Sequence, residues 1–171
     1  MTREEEPDPR VVGPGFLMSS PVPESGYTPD TARFFERARA LVPQFAAADD
    51  DRAKDWSGED GPLGYIRVAA LAWHLAGLAD AGNWDGLEPI LAEVEKAIES
   101  ADRYTTDLMK VGLLEDPQNA CLQTEGRVRL VDVRALLGPL SRDAWDELMT
   151  FWHGSDPAMW TALPPGSLPG Q

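Results

Sequence analysis

The chain has 171 residues, 29 of them acidic and 15 basic, for a formal net charge of −14 at pH 7. Such a balance excludes a phosphate-seeking surface, because the chain repels nucleic acid and anionic membranes and attracts basic partners. With 43 % hydrophobic residues the chain can bury the core of one ordinary domain, which excludes global disorder.

Residues 1–28 read as a disordered N-terminal tail, since "EEEPDP" and "SSPVPESG" mix charge with helix breakers. The opening "MTREEEPDPR" lacks an apolar core and is not a secretory signal. A single helical domain is expected over 29–160, followed by a Pro/Gly-rich tail over 161–171; Met159 and Trp160 are placed to dock on the body before that tail.

The first helix is expected in "PDTARFFERARALVPQFAAA", with Asp30 or Thr31 as cap and Phe34, Phe35, Ala38, Leu41, Val42 and Phe45 at helical spacing. Pro43 must kink or end it, or open a second short helix. "DDDRAKDWSGEDG" shows no period and reads as an acidic loop. "LGYIRVAALAWHLAGLADAG" is apolar nearly all round, as in a helix buried among others, with Arg67 and His74 on one polar stripe. Its apolar run, Val68 to Ala79, falls short of the roughly 20 residues a membrane span needs.

"LEPILAEVEKAIESAD" is amphipathic: Leu87, Ile90, Leu91, Val94 and Ile98 share a face, with Glu88, Glu93, Glu95, Lys96 and Glu99 mostly off it. Pro89 puts its first turn around Leu87. A fourth helix follows from Asp102, with Tyr104, Leu108 and Val111 inward. "VDVRALLGPL" is a short helix stopped by Gly138-Pro139. "SRDAWDELMTFWHG" starts from a Ser141 cap, buries Trp145, Leu148, Met149 and Trp152, and ends at Gly154. "GRVRLVDV" alternates briefly but has no strand to pair with. The expected fold class is all-α, a compact bundle of about five to seven helices.

Chemistry has few carriers here. Cys121 is the lone cysteine, and with His74 and His153 it cannot fill an ordinary Cys/His zinc site. His74 reads as a core histidine, and His153 sits where a cation suits a helix C-terminus. No phosphate loop, HExxH motif or nucleophile elbow is present, and the acidic run lacks the offsets of a calcium loop. No cofactor, metal or catalytic residue is therefore expected.

The dense polar stretch is "VGLLEDPQNACLQ", Val111 to Gln123. Glu115 and Asp116 diverge by about a hundred degrees on a helix, which suits them poorly as a glycosidase pair. Glu115, Gln118 and Asn119 share a helical face if the helix continues through Pro117, where it must end, kink or restart. Glu115 then braces a helix junction, capping free N–H groups or pairing with Arg67.

"VGLLEDPQN", between "LEPILAEVEKAIESAD" and "LLGPLSRDAWDELMTFWHG", resembles an uncharacterised family of small bacterial helical proteins. Those share a Gly-Leu-Leu-Glu-Asp-Leu-Gln-Asn signature and a closing Leu-Gly-Pro, then Trp…Phe-Trp, and are similar to immunity-type proteins of polymorphic toxin systems. Over about residues 62–154, Gly112, Leu113, Leu114, Glu115, Asp116, Gln118 and Asn119 match. Pro117 departs from the pattern's leucine. The resemblance implies a non-enzymatic interaction protein that binds a basic toxin or another protein partner; the missing signal and span point to a cytoplasmic location, and the acidity speaks against nucleic acid and membrane as partners. Glu115, Asp116, Gln118 and Asn119 are the candidate binding residues, joined by Asp49, Asp50 and Asp51 from the acidic run. The competing reading is a small enzyme that uses the Glu115/Asp116 region with His74.

Overall fold

Each helix start needs partners for its free N–H groups, and in this fold several come from distant parts of the chain. The computed structural model describes residues 28–55, 64–118 and 130–154. Helix α1 (Pro29–Leu41) is capped by Thr28, not by Asp30 or Thr31; the Thr28 hydroxyl accepts from the Thr31 N–H at 3.1 Å, and Pro29 takes the first turn. Asp30 works across the fold instead, accepting from the Asp102 backbone N–H at 2.7 Å. Asp102 in turn caps α5 (Arg103–Asp107) through the Thr105 N–H at 3.0 Å and accepts from the Thr28 hydroxyl at 2.6 Å. Two helix starts far apart in sequence thus close each other.

Pro43 opens a second helix, α2 (Pro43–Asp55), so the first half of the supposed acidic loop is helical. The reason is neutralisation. On a helix, Asp49 and Asp50 reach arginines of two other helices, which removes the repulsion that makes an acidic run unwind. Helix α3 (Gly64–Asp80) buries Val68, Leu71, Ala72, Leu75 and Ala79, but it is not enclosed all round: Trp73 is 73 % exposed.

Helix α4 (Trp84–Ser100) starts earlier than Leu87, because Asn83 accepts from the Gly86 N–H at 3.1 Å. Pro89 therefore lies inside the helix, on an exposed position. Leu87, Ile90, Leu91 and Val94 are buried as expected. This helix packs against α1, α3 and α5.

Helix α5 continues into a wide π turn, Leu108–Leu113, in which the Leu114 N–H donates to the Met109 carbonyl at 3.0 Å, five residues back. The extra residue re-phases the helix, so Met109 and Leu113 join Leu108 in the core while Val111 is half-buried. Gly112 faces α3, and a Cβ there would stand 3.0 Å from Val68 Cγ1. Residues 115–118 resume the helix with Pro117 in its first turn.

Two helices complete the described chain, α6 (Leu130–Leu136) and α7 (Pro139–His153), the latter packed on α4. The start of α7 is closed by Glu95 of α4, not by a Ser141 cap: Glu95 accepts from the Leu140 and Ser141 N–H groups at 2.8 Å each and from the Ser141 hydroxyl at 2.6 Å. Gly138 makes this possible, since a Cβ there would fall 2.4 Å from Glu95 Cδ. Burial alone would raise the Glu95 pKa, but the Ser141 hydroxyl, the two N–H groups and nearby Arg142 bring it below the usual value.

Trp145, Leu148 and Met149 of α7 are buried and Gly154 ends the helix as expected. Trp152 is not buried: it stands 48 % exposed. The core joins Phe35, Phe45, Leu71, Ile90, Met109 and Trp145. The fold is all-α, with no strand among the described residues. Apart from Thr28, the expected tails, with Met159 and Trp160, lie outside the described residues, and so does "GRVRLVDV" up to Arg129.

Candidate functional site

The Gly-Leu-Leu-Glu-Asp stretch leaves the π turn with its leucines inward. Leu113, Leu114 and Pro117 line a narrow apolar crevice together with Leu75, Leu91 and Trp145. Its free volume is about 10 Å³, near the limit for one water, and its walls offer no polar surface. Pro117 is buried, so the residue that departs from the leucine pattern keeps the apolar character of this wall.

Gln118 is also interior. Its side-chain amide donates to the Trp145 carbonyl at 3.3 Å, which ties the motif to α7. Of the expected binding residues it is the brace. Asn119 lies outside the described residues.

Glu115 and Asp116 are half-buried. Desolvation raises both carboxyl pKa values; the Asp116 charge raises Glu115 further, and the Trp152 side chain offsets part of this. Among the described residues, neither carboxylate has an ion-pair partner. Arg67, the expected partner of Glu115, is bound elsewhere. Its Nε donates to Asp49 Oδ1 at 2.6 Å, its Nη2 reaches Asp49 Oδ2, and its guanidinium lies 4.0 Å above the Phe35 ring.

Asp49 is accordingly not a surface residue. It is 3 % exposed and also accepts from Arg39 Nη1 at 2.8 Å. Asp50 is exposed and accepts from Arg39 Nη2 at 2.7 Å, and Asp51 is exposed as well. The structure thus separates the acidic run into one interior anchor and two surface charges. His74 sits half-buried with its ring 6.4 Å from Phe45, edge to face, as a core histidine would. It does not line the crevice beside the motif, and neither does Glu115.

The fold also leaves two large rings at the surface at the end of α7. Phe151 and Trp152 form a T-shaped pair with ring centroids 5.0 Å apart, both substantially exposed. A helical repeat of Trp145, Leu148, Met149 and Trp152 predicts burial of all four; the exposure of Phe151-Trp152 is signalled only by their place in the last turn before Gly154.

Among the described residues no group of three histidine, cysteine or carboxylate side chains is placed to hold a metal. No described helix is long and apolar enough to cross a membrane. The molecule is thus an all-α domain that leaves two carboxylates of the signature motif half-buried and an aromatic pair exposed at the end of α7. A family model described as "Domain of unknown function (DUF7674)" matches residues 35–153, the greater part of the chain, and the protein belongs to that family. No curated protein and no solved structure matches it.

Proposed function

We propose that the protein is a non-enzymatic, cytoplasmic interaction protein of the immunity type, which binds a basic protein partner through the face around Glu115 and Asp116. One observation carries this reading: two adjoining, half-buried carboxylates find no cation among the described residues. Carboxylates withdrawn from water are normally paired, because desolvation penalises the bare charge. Elsewhere the same fold provides for them. Asp49 has two arginines, Asp146 has Arg134 at 2.7 and 2.5 Å, and Glu95 has three donors. A partner that supplies the missing positive charge makes sense of the exception.

The net charge of −14 supports the same partner, since it speeds encounter with a cationic surface by roughly 10- to 1,000-fold at low salt. Asp50 and Asp51 add to that field. A toxin that attacks nucleic acid is basic because its substrate is anionic, and an acidic binder can occupy that surface. The enzyme reading has less support, because the crevice beside the motif is walled by apolar groups and His74 packs on Phe45.

The test is the association rate with the product of an adjacent toxin-type reading frame, measured from about 20 to 500 mM salt. The rate should fall steadily as exposed charges are screened. A complex whose rate ignores salt, or no complex with a basic neighbour, refutes the proposal.

A further inference from the structure

We infer that the outer face of α3 is a contact between two copies of this chain, in which Trp73 of each copy enters a notch at Gly77 of the other. On α3 the residues Ile66, Ala69, Trp73, Gly77 and Asp80 follow one another at spacings of three and four, so they form one row along the helix. The row faces away from the core: Trp73, Gly77 and Asp80 are exposed, and Ile66 and Ala69 are half-buried.

Two residues of this row are not accounted for by the chain's own packing. Trp73 is 73 % exposed, the most open of the large apolar side chains among the described residues. Gly77 lies inside the helix, where a glycine weakens the structure because its backbone has the most freedom to lose. Close packing explains other glycines of this fold. A Cβ would stand 3.0 Å from the Tyr104 hydroxyl at Gly64 and 3.0 Å from Val68 at Gly112. At Gly77 a Cβ would meet no atom of the described residues within 4 Å, and the backbone there has no positive φ.

The two features complete each other. One turn apart on the same face stand a projecting ring and a stretch of bare backbone. A two-fold axis across the row, midway between positions 73 and 77, sets two α3 helices antiparallel and brings each ring over the other copy's Gly77. One self-complementary patch then serves both copies.

Charge favours a second copy over a basic partner on this face, which makes the contact independent of the function proposed above. From Val68 to Ala79 the helix carries no charged residue, on a chain of net charge −14. A cationic surface finds no carboxylate along this stretch, whereas two acidic chains, which repel elsewhere, can approach here. Around that axis the two Asp80 positions lie roughly 15 Å apart along the helix, beyond the Debye length of about 8 Å at physiological salt. A single helix row covers less than the roughly 1,200 Å² of a stable interface, so the dimer forms at about tens of micromolar.

Sedimentation equilibrium of the full chain, from about 5 to 500 µM, measures it. The weight-average mass should rise from that of one chain toward that of two. Trp73→Ala and Gly77→Leu should each weaken the dimer more than about tenfold, the first by removing the ring and the second by filling the notch. Circular dichroism melts of both should stay at or above wild type, since leucine is the better helix former and meets no described neighbour at 77. Leu140→Ala, which trims an exposed apolar side chain of α7, should leave the dimer unchanged. Raising salt from about 20 to 500 mM should tighten the dimer by screening the repulsion between acidic chains. A chain still monomeric at about 500 µM overturns the inference. So does a dimer that survives either α3 substitution or that loosens as salt is raised.

Discussion

Asp49→Asn probes the most deeply buried charge among the described residues. The carboxylate is 3 % exposed and is held by Arg67 Nε at 2.6 Å and Arg39 Nη1 at 2.8 Å. Asparagine keeps the volume and one acceptor but removes the charge, leaving two guanidinium groups facing each other without their shared anion. Removing one partner from a buried pair costs about 3–5 kcal/mol. The Arg39 side chain is a third exposed, so water screens its share, and the expected loss lies at the lower end, about 3 kcal/mol. In a domain of this size that lowers the melting temperature by about 10 °C. Urea titration followed by circular dichroism measures it directly. Asp49→Leu with Arg67→Met should recover much of the loss, because a well-packed apolar pair avoids the desolvation penalty. An Asp49→Asn protein within about 0.5 kcal/mol of wild type would refute the reasoning and return Asp49 to the surface.

Gly138→Ala should destabilise by about 1–2 kcal/mol, because the new Cβ drives Glu95 off the α7 N–H groups, and Glu95→Gln should lose nearly as much; neutral melts for both would remove Glu95 as the cap. Glu95 and Asp102 both titrate below their ordinary values of 4.5 and 3.8 in the folded chain. Their contribution is therefore present above those values and is lost as pH falls through the lower folded ones, so an acid melt of Glu95→Gln should show a shallower decline than wild type. Glu115 and Asp116 have the opposite sign: their raised folded values favour the neutral form, so Glu115→Gln and Asp116→Asn should leave stability at pH 7 unchanged or raised. A loss of several kcal/mol in thermal melts would show that each carboxylate braces the fold.

The helices themselves were legible because their apolar faces repeat at helical spacing, clearest in α4, where Leu87, Ile90, Leu91 and Val94 are buried as the pattern requires. Helix α2 was not legible, since Asp49-Asp50-Asp51 reads as a loop until arginines from α1 and α3 come within reach. The same holds for the caps. Thr28 and Asp102, or Glu95 and Ser141, meet only in three dimensions, so local sequence pointed to the nearest serine or threonine instead. The π turn adds one residue to a helix, a change that no period over so short a segment reveals. At the site, residue type singled out Glu115 and Asp116, and both are half-buried. What it could not show is that Arg67 is committed to Asp49, or that Trp152 stands outside the core.

The binding face is tested most directly by titrating isotope-labelled protein with hexa-arginine peptide and following backbone amide and tryptophan indole N–H resonances. Six tryptophans give six reporters, of which Trp152 is half exposed at the end of α7, Trp145 is buried and Trp73 is exposed on α3. The amides of Glu115 and Asp116 should shift together and saturably, while the Trp145 indole stays in place. Shifts centred on Trp73, or on Asp50 and Asp51, with Glu115 and Asp116 unmoved, would contradict the account.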